Sequence, residues 1–405
     1  MTELGYVFER FPSYVQTFCY REVNELHRQG AALAIFSIRR PESEPPQNWD
    51  KQLIEKIQYL PSEKELRDEV ARAGRNGFVP KEALREIEKW GRQPDFLRLY
   101  QAVYIGIRLR ERNLKHVHAH FAGLAARTAF WIKEFFGIPY SFTAHANDIF
   151  APHPFVIGLD KLIDSASAVV TESDYAAAIL RKQFPRSSKK ILRIYNGLDI
   201  SQFHQSSFNA PIPLIISVGR LVEKKGFTYL IEACRRLNER GRSFRCEIIG
   251  EGPLKDSLWS QIVENKLETI VRLMGAQTQK EIGQRLSAAT VFCLPCVVEQ
   301  DGGMDNLPTV IAEAMGSGLP VVTTPIAGVP EMVVDNVNGF LVPSADPASL
   351  ADALDKVMGD KDLAQRLGAN GRERAQDLFS IETSANALRE LFKRLSRNAD
   401  SVRSE

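Results

Sequence analysis

Cysteine is scarce, and its pattern excludes two chemistries. The five cysteines fall at 19, 234, 246, 293 and 296. An odd, scattered set makes no disulfide framework and points to a reducing compartment. Cys293 and Cys296 have the spacing of a metal-binding pair. No second pair or histidine cluster completes such a site, so buried thiols in or beside a strand are expected. Long apolar runs are missing as well: none approaches the about 20 residues needed to cross a bilayer. The start, Met1-Thr2-Glu3-Leu4, has neither the basic nor the apolar stretch of a secretory signal. The expectation is a cytoplasmic protein whose contact with the inner membrane surface, if any, is peripheral. Charge of one sign is also lacking. With 52 basic and 50 acidic residues the formal balance is +2, which argues against a nucleic-acid binder driven by charge. The halves differ: residues 1–200 carry 29 Lys+Arg against 24 Asp+Glu (+5), and the rest carry the remaining 23 and 26 (−3). A mildly basic first half suits an anionic surface or acceptor as well as a chance excess on a solvated face. Neither GxGxxG nor GxxxxGK[ST] occurs, so the nicotinamide-dinucleotide and P-loop fingerprints are absent.

What is present is alternation. A chain of 405 residues exceeds one ordinary core, so two domains are expected. Short apolar runs at 5–8, 32–38, 117–121, 140–143, 168–171 and 191–195 recur in the first half. A second series lies at 214–218, 245–249, 270–274, 291–294, 320–323 and 340–342. Several lack apolar/polar alternation, as strands covered on both faces do. Helical periodicity follows most of them, for example over 226–238 and 347–358. Strand–helix alternation in each half argues two parallel sheets of α/β class. The polar stretch 199–213 reads as the linker between a domain at 1–200 and one at 201–380. The charged region at about 41–115 reads as a helical insertion, and 381–405 as a terminal amphipathic helix. Two open parallel sheets facing each other form a cleft, and ligands bind beyond the carboxyl ends of their strands.

Three strand ends carry chemistry. Ser217-Val218-Gly219-Arg220 is followed by Lys224-Lys225-Gly226. A guanidinium fork (Arg220) and a point charge (Lys225) at one strand–helix junction fit a diphosphate. They also fit two solvated cations at a turn. Ile249-Gly250-Glu251-Gly252 ends a second strand, where Gly250 allows close backbone approach. The third is the loop Asp301-Gly302-Gly303-Met304-Asp305-Asn306-Leu307-Pro308-Thr309, which leads into a helix bearing Glu313. Asn306 is the expected cap. The helix N-terminus offers N–H groups to a phosphate or sugar oxygen. Glu313, an acid among apolar neighbours, needs a hydrogen-bonding partner, and vicinal sugar hydroxyls would serve. The expectation is that the chain has no Asp-x-Asp motif, so a divalent ion bridging a diphosphate is not implied, and Arg220 and Lys225 would neutralise it instead. His116, His118 and His120 alternate along one strand face. No carboxylate is spaced to complete a metal site with them. His120 is expected at the cleft edge and the other two as packing or surface groups.

Taken together, VGRL, KKG, IIGEGP, LMGA, the near E-x7-E pair Asp305/Glu313 and EAMGSGLPVV resemble the retaining glycosyltransferase family 4, which has the GT-B fold. The resemblance is densest over 213–343. In the first half HVHAHF, FTAHAND and YNGLD are similar to the exopolysaccharide and colanic-acid branch. The resemblance implies two Rossmann-like domains across a cleft, with the acceptor side in the first and the donor site in the second. It implies a nucleotide-diphosphate sugar as substrate, UDP favoured over GDP, with no cofactor and no metal. The acceptor would be a saccharide or a lipid-linked saccharide of a bacterial surface polysaccharide. Arg220 and Lys225 would hold the diphosphate beside Gly219 and Gly250. Glu313 would bind the ribose, Gln277 would edge the base, and Asp305, Asn306, Leu307, Pro308 and Thr309 would cradle sugar and phosphate. His145 would face the sugar near the forming bond. Pro12, Ser13, Gln16 and His120 would line the acceptor side. Two departures matter: Asp305 stands where the family usually has Glu, and Gln16 replaces the acid of the FP-x-SETF pattern. A nucleotide-sugar epimerase and a non-catalytic nucleotide-sugar-binding protein remain as alternatives.

Overall fold

The computed structural model describes residues 3–42, 47–151 and 155–401, with Glu3 and residues 398–401 by backbone alone. Two all-parallel sheets form its frame. The first contains β1 (Glu3–Arg10), β2 (Ala32–Arg39), β3 (Ile57–Tyr59), β4 (Val117–His120), β5 (Tyr140–Ala144), β6 (Ala168–Thr171) and β7 (Ile191–Arg193). Their spatial order is β3-β2-β1-β4-β5-β6-β7. The second contains β8 (Leu214–Val218), β9 (Arg245–Ile249), β10 (Val271–Leu273), β11 (Val291–Leu294), β12 (Val321–Thr323) and β13 (Gly339–Leu341), ordered β10-β9-β8-β11-β12-β13. Every residue of β4, β5, β6 and β11 is buried, which explains why β6 (Ala-Val-Val-Thr) and β11 (Val-Phe-Cys-Leu) lack alternation; β4 (Val-His-Ala-His) and β5 (Tyr-Ser-Phe-Thr-Ala) alternate in polarity yet are covered on both faces too. In both sheets the order reverses beside the first strand, at β1/β4 and at β8/β11. Crevices open at such switch points, beyond the strand ends.

Local chemistry sets the helix starts. Ser62 with Glu65 and Thr278 with Glu281 form capping boxes that open Glu63–Arg75 and Gln279–Ala288. The region 41–115 is more than a helical insertion. Besides its helices it supplies β3, which pairs with β2 at the sheet edge. Three residues are too few to register as a period. The polar stretch 199–213 is no free linker either: Ile200, Phe203 and Ser206 are buried. Ser206 donates to the carbonyl of Ala289 at 2.7 Å, pinning the stretch to the second sheet.

The chain crosses between the sheets twice, and the crossings touch. Leu198 N donates to the Phe379 carbonyl at 2.6 Å, and Ile381 N donates to the Leu198 carbonyl at 3.1 Å. Gly197 makes this approach feasible, because a Cβ there would lie 2.7 Å from Ile381 Cα. The helix Ile381–Ser401 then returns to the first sheet. Its Ala385, Leu388, Leu391, Phe392 and Leu395 share a cluster with Leu4, Tyr6, Phe8, Val23 and Leu26.

Candidate functional site

A cavity of about 350 Å³ lies between the two sheets, walled by the switch-point loops of both. On the second sheet, β8 delivers Gly219 and Arg220 to it, and β9 delivers Gly250. Gly219 N donates to the Ile249 carbonyl at 2.9 Å. Gly250 has φ 145°, and a Cβ there would overlap the Gly219 carbonyl oxygen. Only glycine lets these two strand ends come so close. Beyond β11, residues Asp305 to Val310 form the opposite lip and lead into the helix Thr309–Gly316. That helix begins after Pro308 with no side-chain cap. Asn306 is therefore not the cap. Its side-chain Oδ1 accepts from the Ser173 hydroxyl at 2.6 Å, and its Nδ2 donates to Glu172 at 3.4 Å, so the side chain is spent on joining the two halves.

The charges are paired. The Lys225 ammonium bonds the Asp305 carboxylate, and Lys224 stands 3.7 Å from its other oxygen. Burial alone would raise Asp305, but Lys225 and Lys224 hold it below the ordinary aspartate range. Burial alone would lower Lys225, but Asp305 keeps it above its ordinary value. Cys296 packs against the same carboxylate and is kept a thiol by burial first. Glu313 bonds Arg21, brought from the helix Thr17–Arg28 across the cleft, at 2.7 Å. The Gln277 side chain edges the cavity and accepts from Arg285 at 2.8 Å.

The first sheet contributes His145 at the end of β5, flanked by Phe18 and Phe121 with ring centroids at 4.9 and 4.3 Å. His145 Nδ1 lies 2.9 Å from Glu172 and its Nε2 lies 3.2 Å from His120 Nδ1. His120 Nε2 lies 3.1 Å from Glu22.

Gly219, Arg220, Lys225, Gly250, Gln277, Asp305, Asn306, Leu307, Pro308, Thr309, Glu313, His145 and Gln16 thus border one cavity. Pro12, Ser13 and His120 do not. The first loop turns so that Tyr14 to Phe18 face the cavity instead, and His120 is wholly buried behind His145. His116 and His118 are fully buried too, which leaves only the packing role. Burial pushes His116 down to about 3. Glu22 does reach the histidine strand, although sequence spacing gave no sign of a carboxylate there. This does not make a metal site of the expected alternation, because both ring nitrogens of His118 are already bonded to Ser141 and Thr143. The chain's Asp-x-Asp string, Asp360-Lys361-Asp362, opens the helix Lys361–Phe379, where the Asp360 side chain accepts from Leu363 N. It lies outside the cavity. All five cysteines are free and buried.

Arg21, Glu22, Glu172 and Lys224 were missed as site residues. Glu172 carried the signal that singled out Arg220, a charged residue at a strand end before a helix. Lys224 stands inside a recognised motif beside Lys225, Arg21 and Glu22 lie about one turn beyond one, and only the fold shows what they meet.

Two family models together match residues 15–374: Glycosyltransferase Family 4 over residues 15–202 and Glycosyl transferases group 1 over residues 200–374. The chain belongs to glycosyltransferase family 4. Among its relatives are the "Putative colanic acid biosynthesis glycosyltransferase WcaL" of Escherichia coli (strain K12), 37% identical over 227 residues and 55% of each chain. Another is the "Amylovoran biosynthesis glycosyltransferase AmsK" of Erwinia amylovora, 38% identical over 182 residues, 45% of this chain and 44% of that one. The chain spans about half the length of these curated relatives. The solved glycosyltransferase from Rickettsia africae superposes with TM-score 0.74 at 16% identity, over 98% of this chain and 99% of that one. Anabaena Alr3699/HepE in complex with UDP does so with TM-score 0.72 at 17% identity, over 97% and 100%. At such identities the likeness is one of fold, and the fold of this family-4 chain is GT-B.

Proposed function

We propose that this family-4 chain is a retaining glycosyltransferase that moves a hexose from a UDP-sugar to a saccharide or lipid-linked acceptor during synthesis of a bacterial surface polysaccharide. The observation that carries the reading is the convergence of Arg220, Lys225 and Glu313 on one interdomain cavity. The printed names of the relatives supply the polysaccharide context, and that of the Anabaena neighbour favours UDP over GDP. The proposed working division is an acceptor domain over 1–200 and a donor domain over 201–380, with the terminal helix bound to the former. Action at the cytoplasmic face of the inner membrane suits a chain in which no described helix is long and apolar enough to cross a bilayer.

Cleavage of the anomeric C–O bond places charge on the leaving diphosphate and on an oxocarbenium-like sugar. Arg220 and Lys225 would neutralise the former, helped by the uncapped N-terminus of Thr309–Gly316. To do so Lys225 must share its ammonium between phosphate and Asp305. Two cations and a helix end would serve in place of a divalent ion, so a chelator should leave transfer intact. Glu313 keeps its second oxygen for a ribose hydroxyl while Arg21 holds the first. Asp305, one methylene shorter than the family's usual Glu and bound to Lys225, would reach the sugar only if the loop shifts. The acceptor hydroxyl would attack from the face of the departing phosphate, and no carboxylate is assigned a covalent role. Closure of the cleft would exclude water.

The test is a nucleotide-sugar panel. UDP-sugars should raise the melting temperature, and a matching acceptor should then release UDP with retained anomeric configuration. Isomerisation of the donor without acceptor, or turnover strictly dependent on a divalent metal, would contradict the reading.

A further inference from the structure

A chain of buried titratable side chains starts in the cavity wall, with Glu172 and His145, and runs behind it to His120 and Glu22. Glu172 Oε2 lies 2.9 Å from His145 Nδ1, His145 Nε2 lies 3.2 Å from His120 Nδ1, and His120 Nε2 lies 3.1 Å from Glu22 Oε1. Glu22 Oε1 also accepts the Tyr6 hydroxyl at 2.5 Å. The four side chains are between 0% and 12% exposed. Each of the three links needs one hydrogen between its two heavy atoms. Two neutral imidazoles supply two. The fully bonded chain therefore holds a third proton, and two carboxylates with three protons over two imidazoles carry a net charge of −1. Both nitrogens of His145 are then occupied, and turning the ring would break two bonds.

Beside Tyr6, the neighbouring polar side chains among the described residues are engaged otherwise. Cys19 is kept a thiol by burial first and then by Glu22 and Glu172. His118 is spent on Ser141 and Thr143. Asp148 accepts from the His145 backbone N–H at 2.9 Å, not from its ring. At its outer end the chain reaches the second sheet. Glu172 accepts from Asn196 at 2.8 Å and from Asn306 at 3.4 Å, and Asn306 adjoins Asp305 in the donor loop.

We propose that Glu172, backed by His120 and Glu22, is a positioning residue for glycosyl transfer. It holds His145 at the cavity wall in one ring orientation and ties that orientation to the donor loop through Asn306. The inference rests on the transfer reading above.

Two arms test it. In the kinetic arm, Glu172→Gln keeps the size of the side chain and one of its two oxygens, so it can still accept from Asn306 or from Asn196 but not from both, and it loses the charge that holds Nδ1–H. Its kcat should fall at least about tenfold while KM for the nucleotide sugar moves less than about threefold. His120→Asn, whose amide nitrogen overlays Nδ1, should retain more activity than His120→Ala. In the spectroscopic arm, the ¹⁵N ring signals of His145 and His120 in the nucleotide-free protein should shift together in Glu172→Gln. Turnover within twofold of wild type, unchanged ring signals in folded Glu172→Gln, or equal loss in the two His120 variants would overturn the proposal. If the wild type transfers from no nucleotide sugar, the transfer reading fails, while the ring signals still decide whether the chain exists. If Glu172→Gln does not fold, the His120 pair decides: activity retained better in His120→Asn than in His120→Ala together with a shifted His145 ring signal in His120→Ala supports the proposal, and equal loss or an unchanged His145 signal overturns it.

Discussion

At the scale of residues, the donor site is a set of charges that already have partners. Lys225 and Asp305 neutralise each other in a pocket that burial makes costly for either alone. Removing one partner strands the other, so Lys225→Ala should lose stability as well as transfer. Arg220 lines the cavity, and Arg220→Ala should lose transfer by about 10²–10³-fold, the usual cost of deleting a preorganised charge donor. Steady-state kinetics with a UDP-sugar checks both, and unchanged kinetics in either variant would remove the diphosphate role. The pair also has a pH signature. Asp305 sits below its ordinary value and Lys225 above its own. The contribution of Asp305 is complete above its ordinary pKa and is lost as pH falls through the depressed one. That of Lys225 is complete below its ordinary pKa and is lost as pH rises through the raised one. Arg220, Lys225 and Glu313 were legible in the sequence because a lone charge at a strand end or on an apolar helix needs a reason. Arg21, the partner of Glu313, was not, since pairing across 292 residues leaves no local pattern; nor were the pairings of Lys224 with Asp305 and of Glu172 with His145, which join separate segments.

Among the elements, β4 stands out, because its His118 and His120, and His116 just before it, are fully buried. Burial pushes His116 down to about 3, and burial, then His120, His116 and His145, push His118 down too. An unfolded chain binds protons at both below about pH 6.5, where the folded chain does not. Stability should therefore be complete above that pH and fall as pH drops toward 4, by up to about 1.4 kcal/mol per pH unit for each histidine. Urea midpoints across this range check it, and the slope should flatten in His116→Gln. The strand itself was readable as an apolar run, but its histidines were taken in part for surface groups, because alternation shows a shared face without showing what covers it. Here Phe392 of the returning terminal helix helps cover it. The crossing at Gly197 yields another outcome. Gly197→Ala would force its Cβ against Ile381 and Ser384. It should lower the melting temperature by several degrees, the result of overpacking by about 1–3 kcal/mol, and a thermal melt will read it.

Over the whole molecule, two parallel sheets meet across a cleft closed by Arg21–Glu313, Lys224–Asn147 and Ser173–Asn306. Glu331 adds to this by accepting from the backbone N–H groups of Asp174 and Tyr175, at the start of Asp174–Gln183. The two-sheet plan was legible from strand–helix alternation alone. The segment after residue 199 does join the two sheets, but its anchoring was not legible, because its polar surface residues outnumber the buried Ile200 and Phe203. The central claim is that groups from a strand end and a neighbouring helix meet on one nucleotide, and calorimetric titration of UDP tests it most directly. The wild type should bind UDP, and Arg220→Ala and Glu313→Gln should each bind it at least about tenfold more weakly, a loss of about 1.4 kcal/mol or more. Wild-type affinity in either folded variant would contradict the claim.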